Sequence, residues 1–381
     1  MDLPEIREKI DHIDSELLRL FGERLDLATE VARAKQATGK AIFDPARERE
    51  KLRSLVSRAP REREPEVIAL FSLLMSMNKV EQQHFLAAAN PASRSRLARA
   101  SWVSLDTPFP STATVACQGV EGAYSQLAAT RLFKVPAITY FNTFEGVMRA
   151  VRDGLTDFGV LPIENSTAGS VNAVYDLLSD YRFFIVRSLR LKIDHNLLAR
   201  PGVRREDIRE VISHEQALAQ CADYLDQLGV QADTCENTAR AAEIVANSDR
   251  RDLAALSSRA CAELYGLDVI EPDVQDSDNN YTRFVVISRV PQVYPGAERT
   301  SLRLTLPHVP GALYRALERF YALDINVVKL ESRPIPGHDF RFMFYFDIEC
   351  PVASDAFARL MDSLDDVCDQ LTYYGSYQEI I

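Results

Sequence analysis

At 381 residues, 46% hydrophobic and 26% charged, the chain has the make-up of an ordinary globular protein with room for two or three domains. The formal net charge is −11: residues 1–100 hold 18 Lys+Arg against 16 Asp+Glu, and the remainder 26 against 39. With no basic stripe, nucleic acid and anionic membrane surfaces are poor partners, and any anionic ligand must be gripped by individual arginines.

The opening MDLPEIREKIDHID lacks the apolar stretch of a signal peptide, and the most apolar uncharged run, Val67–Asn78, is too short to span a bilayer. Six cysteines (117, 221, 235, 261, 350, 368) are scattered without a CxxC. They point to reduced thiols in a cytoplasmic protein rather than to a metal or disulfide frame, with Cys221 and Cys261 as small core residues. Residues 1–88 read as helices, and 89–112, rich in Pro, Ser and Ala, as a linker. From 113 to 290, short β-type runs alternate with helical ones, the pattern of an α/β domain. Residues 299–381 follow a βαββαβ order, the ferredoxin-like arrangement.

In the first helix the apolar positions Ile6, Ile10, Ile13, Leu17, Leu20, Leu27, Val31 and Ala34 step by four and three, the 3.5-residue repeat of a long packed seam. Arg24 stands where that series calls for a hydrophobe. A charge there is either a structural ion pair, for example with Glu48, or a hook for a ligand. Lys35 lies three turns on, ~16 Å along the axis, so the two long side chains could bracket a small dianion. Arg7 is roughly 25 Å from Arg24 along the same helix, too far for one small ligand to reach both. If Arg7 also binds, it comes from a second subunit. Asp44, Arg47 and Glu48 follow in the second helix, and Asn78 and Gln82 share a face of the third.

The motifs IREKID, LFGERLDLATEVARAK, FDPAREREKL and NKVEQQ, spread over residues 5–83, resemble the all-helical chorismate mutases. That resemblance implies rearrangement of chorismate to prephenate without nucleophile, metal or cofactor, by holding the substrate compact and placing donors on its ether oxygen. It assigns Arg7 of a partner chain, Arg24 and Arg47 to the carboxylates, and Lys35 and Gln82 to the ether oxygen. Asp44 and Glu48 would orient the ring hydroxyl, Glu48 alternatively supporting a donor. Asn78 stands where related sequences commonly carry serine.

In the α/β region the glycines of GVEGAYSQLAA (119–129) do not form a GxGxxG, and no GxxxxGK[ST] occurs, so dinucleotide and P-loop readings fail. Polar strand-to-helix turns recur instead: Glu164-Asn165-Ser166-Thr167, then ISHEQALAQC (212–221), then CENTAR (235–240). Such turns suit an anion in a cleft at strand ends, although Asn165 or Ser166 alone could be a helix cap. In NNYTRFVVIS (279–288), Thr282-Arg283 opens an apolar strand; alone this is strand punctuation. Together these blocks resemble the prephenate dehydratases over residues 113–290. The resemblance implies loss of the ring hydroxyl as water and of the ring carboxylate as carbon dioxide. Thr282 would then supply a hydrogen bond or proton and Arg283 a fixed charge, with Glu164 or a water as the other candidate proton source. Asn165, Ser166, Ser213 and Gln220 would be further contacts. Glu215 stands where that family usually has proline.

VPGALYRAL (309–317) and LESRPIPG (330–337) resemble the GAL and ESRP motifs of the ACT domain that follows such dehydratases. By that likeness phenylalanine binds at Gly311, Ala312, Leu313, Glu331, Ser332 and Arg333, at a subunit interface, and inhibits. The expectation is therefore a multidomain chain: an all-α mutase domain (1–88), a linker (89–112), a two-lobed α/β dehydratase domain (113–290) and a ferredoxin-like ACT domain (299–381). It would take chorismate, prephenate and phenylalanine as ligands, use no cofactor, and form a homodimer through the N-terminal helices or a higher oligomer. The competing reading makes the helical segment a dimerisation module only.

Overall fold

The computed structural model describes residues 2–38, 44–89, 102–335, 337, 341–365 and 367–381. Phe43 of FDPAREREKL, linker residues 90–101, Pro336 of LESRPIPG, Phe340 and Asp366 lie outside them. Among the described residues no helix is long and apolar enough to cross a membrane. The chain divides into two compact units, one drawing on residues 1–100, 305–325 and 353–371, the other on 101–304, 326–352 and 372–381.

In the first unit α1 (Leu3–Thr38) pairs with α3 (Glu64–Ala89), and α2 (Pro45–Val56) packs on α3 as well. Asp44 starts α2 by accepting the Arg47 amide at 3.0 Å. The buried residues of α1 are not the large side chains of the 3.5-residue seam. Ala28 and Ala32 are buried, whereas Ile6, Ile10, Ile13, Leu17, Leu20, Leu27 and Val31 are all 40% or more exposed. Small side chains let the two helices approach, and the large apolar row is left exposed.

The second unit includes a seven-stranded and a five-stranded sheet. A seven-stranded sheet runs in the order Glu379–Ile380, Phe184–Lys192, Tyr281–Ser288, Phe158–Asn165, Thr112–Gln118, Val135–Phe141, with Gly169–Ser170 paired to Phe158–Asn165. A five-stranded sheet runs Asp268–Glu271, Asn196–Ala199, Leu253–Ser257, Glu210–Ser213, Gln231–Thr234. The chain leaves the first sheet after Lys192 and returns at Tyr281, which makes two lobes joined by two crossings. Four strands of the second lobe, Asn196–Ala199, Glu210–Ser213, Gln231–Thr234 and Asp268–Glu271, are four-residue segments without the long apolar runs seen elsewhere.

The strand Tyr281–Ser288 lies between Phe158–Asn165 and Phe184–Lys192, antiparallel to both. Its side chains alternate. Phe284 and Val286 join a core with Val115, Cys117 and Val160, while Val285 and Ile287 face a second core that includes Met343, Tyr345, Tyr374 and Tyr377. Pairing with Phe158–Asn165 slips by one residue between Arg283 and Phe284, where Pro162 has no amide to offer.

The C-terminal strands Arg299–Thr305, Asn326–Pro334, Phe342–Glu349 and Gln370–Tyr377 form one sheet in the order second, third, first, fourth. Gly375 within it has φ +134, and a Cβ there would stand 2.1 Å from the Ile185 carbonyl oxygen. Helices Ala312–Ala322 and Asp355–Leu364 connect these strands in sequence. Cys221 and Cys261 are fully buried core residues.

Candidate active sites

Between the two lobes lies a cavity of about 370 Å³. One wall carries Gln118, Tyr124, Asn165 and Thr282, and the other His195, His214, Gln216, Gln220 and Asn237. Thr282 and Asn165 are direct cross-strand partners. Asn165 Oδ1 accepts the amides of Thr167 (3.0 Å) and Ala168 (2.9 Å), which fixes its side chain over the turn. Its amide donates to Asn280 Oδ1 and to Thr282 Oγ1, both at 3.0 Å. Because Oγ1 already accepts from Asn165, the hydroxyl proton is left to be donated elsewhere. The threonine is thereby set up as a donor lining the cleft.

The network runs on. Asn280 Nδ2 donates to Gln220 Oε1 at 2.9 Å, and His195 Nε2 meets the same oxygen at 2.9 Å. As an acceptor, that oxygen assigns the histidine proton to Nε2. His195 is 2% exposed, and burial pushes its pKa below the ordinary histidine value, so the ring is held neutral. His195 Nδ1 and Gln220 Nε2 are buried without a partner among the described residues. The cleft is thus lined by amide, imidazole and hydroxyl side chains, with Pro162, Val171, Ile193 and Phe284 among them.

Sequence reasoning placed Asn165, Gln220 and Thr282 together, and all three line this cleft. It missed His195 and Asn280, whose roles depend on partners 25 and 60 residues away from Gln220 in sequence. Ser213 is fully buried and donates to the Leu256 carbonyl at 2.7 Å, tying two strands of the second lobe together. Glu215 is the first residue of a short helix capped by His214. That position takes either proline or an acid, so the departure from the family's usual residue fits the turn.

The expectation that Thr282 and Arg283 serve one ligand in one cleft is corrected by the strand's alternation. Arg283 points to the opposite face, 6% exposed. It contacts Asp347 Oδ2 and Tyr377 Oη at 2.5 Å each, Ser188 Oγ and Glu379 Oε1 at 3.1 Å, and Glu164 Oε2 at 3.7 Å. Burial alone would lower its pKa, but Tyr377 and Asp347 raise it well above the ordinary value. Glu164 and Ser166 also lie on that side. Glu164 pairs with Lys329 at 3.1 Å, and Ser166 donates to the Asn279 carbonyl at 2.7 Å. With Arg190 and Arg299 they line a separate cavity of about 450 Å³.

In the helical unit, Arg24 Nη1 donates to the Leu74 carbonyl at 2.7 Å and to Asn78 Oδ1 at 2.5 Å. Both acceptors are neutral, and no carboxylate meets Arg24 among the described residues, so its charge is half-buried and uncompensated. Burial lowers its pKa from the ordinary value. Glu48 pairs instead with Lys79 at 3.0 Å. Gln82 is buried, with its Oε1 unpartnered among the described residues. Lys35 is half-buried, Arg7 is exposed, and exposed Arg47 pairs with Glu50 at 2.8 Å.

Of the C-terminal residues, Gly311 begins the Ala312–Ala322 helix with φ +76, and Ala312 is buried. Glu331 accepts from Ser170 at 3.0 Å, Arg333 pairs with Asp176 at 3.0 Å, and Ser332 is exposed.

Comparison with known proteins matches this architecture in two parts. The family model for chorismate mutase type II matches residues 6–83, and that for prephenate dehydratase residues 115–292. The chain therefore has a helical mutase region followed by an α/β dehydratase region. A bifunctional chorismate mutase/prephenate dehydratase of Enterobacter agglomerans is 33% identical over 383 residues, covering 98% of this chain and 95% of its own. An arogenate dehydratase/prephenate dehydratase of Arabidopsis thaliana is 38% identical over 275 residues, 69% of this chain and 72% of that one. Among solved structures, the prephenate dehydratase of Arthrobacter aurescens in complex with L-Phe aligns with a TM-score of 0.64 at 28% identity, covering 70% of this chain and 89% of that chain. The chain belongs to the family of bifunctional chorismate mutase/prephenate dehydratases.

Proposed function

We propose that the chain rearranges chorismate to prephenate in its helical region and converts prephenate to phenylpyruvate in the interlobe cleft, as a cytoplasmic enzyme of phenylalanine biosynthesis. The observation that carries the dehydratase half is the Thr282 hydroxyl, whose acceptor side is occupied by Asn165 and whose proton is therefore free for a leaving oxygen. In the reaction, the bond from the ring to the carboxylate breaks and its electron pair enters the ring. The C–OH bond breaks on the far side of the ring. The hydroxyl takes up one proton and leaves as water, and the carboxylate leaves as carbon dioxide. Donation from Thr282 favours the departing oxygen, and the buried amides of Asn165, Asn280 and Gln220 hold that donor still. For the mutase half, the uncompensated guanidinium of Arg24 suits a substrate carboxylate, with Asn78 fixing its direction. Gln82 and Lys35 are the candidate donors to the ether oxygen.

The exposed row on α1 supports a homodimer in which a second α1 covers it and brings its own Arg7 to the site. The C-terminal strand order fits a ferredoxin-like ACT domain, and the GAL and ESRP motifs support phenylalanine as its inhibitor, acting by binding a less active state more tightly. The test is to incubate the purified protein with chorismate alone and follow chorismate loss and phenylpyruvate appearance. Phenylpyruvate is expected. Accumulating prephenate would retire the cleft reading, and untouched chorismate would leave the helices as a dimerisation module.

A further inference from the structure

The cleft uses one face of the strand Tyr281–Ser288, and the other face carries a buried cation that the reaction as written does not employ. Four of Arg283's surroundings come from the C-terminal sequence. Asp347 and Tyr377 accept from its two terminal nitrogens, Glu379 sits against Nε, and Ser301 donates to Asp347 and lies 2.7 Å from Tyr377 Oη. Asp347 is 7% exposed, and although burial raises its pKa, Arg283 and Ser301 bring it below the ordinary carboxylate value. A second tie grips the neighbouring hairpin. Lys329 donates to Ser170 at 2.8 Å and pairs with Glu164, and Glu331 accepts from the same serine. Ser170 is registered to Glu164, one residue before Asn165. The C-terminal strands therefore hold, from behind, both strands whose front faces carry the Asn165–Thr282 pair.

On one side the strand pairs in unbroken register with Phe184–Lys192 from Tyr281 to Val286, and on the other its pairing with Phe158–Asn165 is irregular at this place. The register slips beside Arg283, and Pro162 contributes no backbone donor. Beside that slip, side chains add to the backbone pairing in setting how far Thr282 projects. We propose that Arg283 is a positioning residue rather than a substrate ligand: clamped by Asp347, it sets the place of the Thr282 hydroxyl, so that the C-terminal sheet is part of the dehydratase machinery. This rests on the dehydratase reading of the cleft.

The experiment is steady-state turnover of prephenate by the full-length protein and its Asp347→Asn, Arg283→Gln, Arg283→Lys and Asp347→Asn/Arg283→Gln variants. Asp347→Asn, which does not line the cleft, should lower kcat by about 10²-fold, because a misplacement near 1 Å costs that much. The prephenate KM should stay within about twofold of wild type, the pattern of a lost transition-state interaction. The double variant should be no worse than the poorer single one, and Arg283→Lys should recover part of what Arg283→Gln loses. Wild-type kcat in Asp347→Asn overturns the proposal. So does a tenfold or larger rise in KM at unchanged kcat in Arg283→Gln, which would make the guanidinium a substrate ligand. If Asp347→Asn does not fold, Ser301→Ala and Tyr377→Phe take its place; a kcat lowered several-fold supports the clamp, and wild-type kcat in both overturns it. Should the wild-type protein itself fail to turn over prephenate, the cleft reading falls before any variant is made.

Discussion

The helical region and the interlobe cleft handle their polar groups in opposite ways. In the cleft the groups are short amides, a hydroxyl and a neutral imidazole, buried and hydrogen-bonded to one another within one chain. On the helices they are long cations, two of them exposed, beside an apolar row left uncovered among the described residues. A site built from short, mutually bonded groups can be finished by a single fold. A site built from long arms on a bare helix is finished by whatever packs against that helix. The comparison predicts that the two activities can be damaged separately, and by different kinds of change.

The largest effect should come from Thr282→Val, which removes the cleft's donor without changing its volume much. Phenylpyruvate formation should fall by about 10³-fold while chorismate consumption continues at the wild-type rate. Retained dehydratase turnover would break the comparison at its firmer end. Next is Arg24→Ala, expected to slow chorismate rearrangement by about 10²-fold with the melting temperature nearly unchanged, since its bonds are to neutral acceptors. A large drop in thermal stability with turnover intact would show that the arginine serves the helix pair instead. Leu17→Glu places a charge in the uncovered row. Sedimentation should then show dissociation at micromolar concentration, with mutase turnover lost by about tenfold and dehydratase turnover kept.

A smaller and pH-dependent effect should come from the buried acid behind the cleft. The folded pKa of Asp347 lies below its unfolded value, so its contribution to stability is present above about pH 4 and is lost as the pH falls through the folded value. The stability difference between wild type and Asp347→Asn, followed by chemical denaturation, should therefore narrow below that pH. A gap unchanged down to pH 3 would mean that the carboxylate is not held by its charge. The smallest effect should come from Arg149→Ala: its pairing with Glu145 is exposed, and melting temperature and both activities should stay at wild-type values.

Much of this was legible in residues with a period. The steps of four and three along α1 showed a long apolar row, and the alternation of short strands and helices showed an α/β region. What the row packs against was not legible, because the contact with α3 is made by Ala28 and Ala32, whose small side chains carry little hydrophobic signal. The four-residue strands of the second lobe were too short to show a period. EQALAQCADYLDQLG reads as one helix but breaks at Gln220-Cys221, and Gln220's carbonyl there accepts the Asp276 amide at 2.8 Å. In the cleft, Asn165, Gln220 and Thr282 could be found from polar turns, whereas His195 could not, since its signal is a hydrogen bond to a residue 25 positions away. Arg283 is different. Period-two alternation alone separates it from Thr282, and proximity in sequence outweighed that rule in the reading of the motif.

Gly375 bears on how such a protein could be taken apart. Two backbones touch there with no side chain between them, one from the C-terminal sheet and one from the Phe184–Lys192 strand. An engineer who cut the chain near residue 299 and grafted the tail onto another dehydratase would be joining surfaces matched at the level of peptide groups, where no repacking of rotamers can absorb a misfit. The tail behaves less like an interchangeable cartridge than like the second half of a hinge pin, and a transplant would need to carry both the glycine and the strand it rests on.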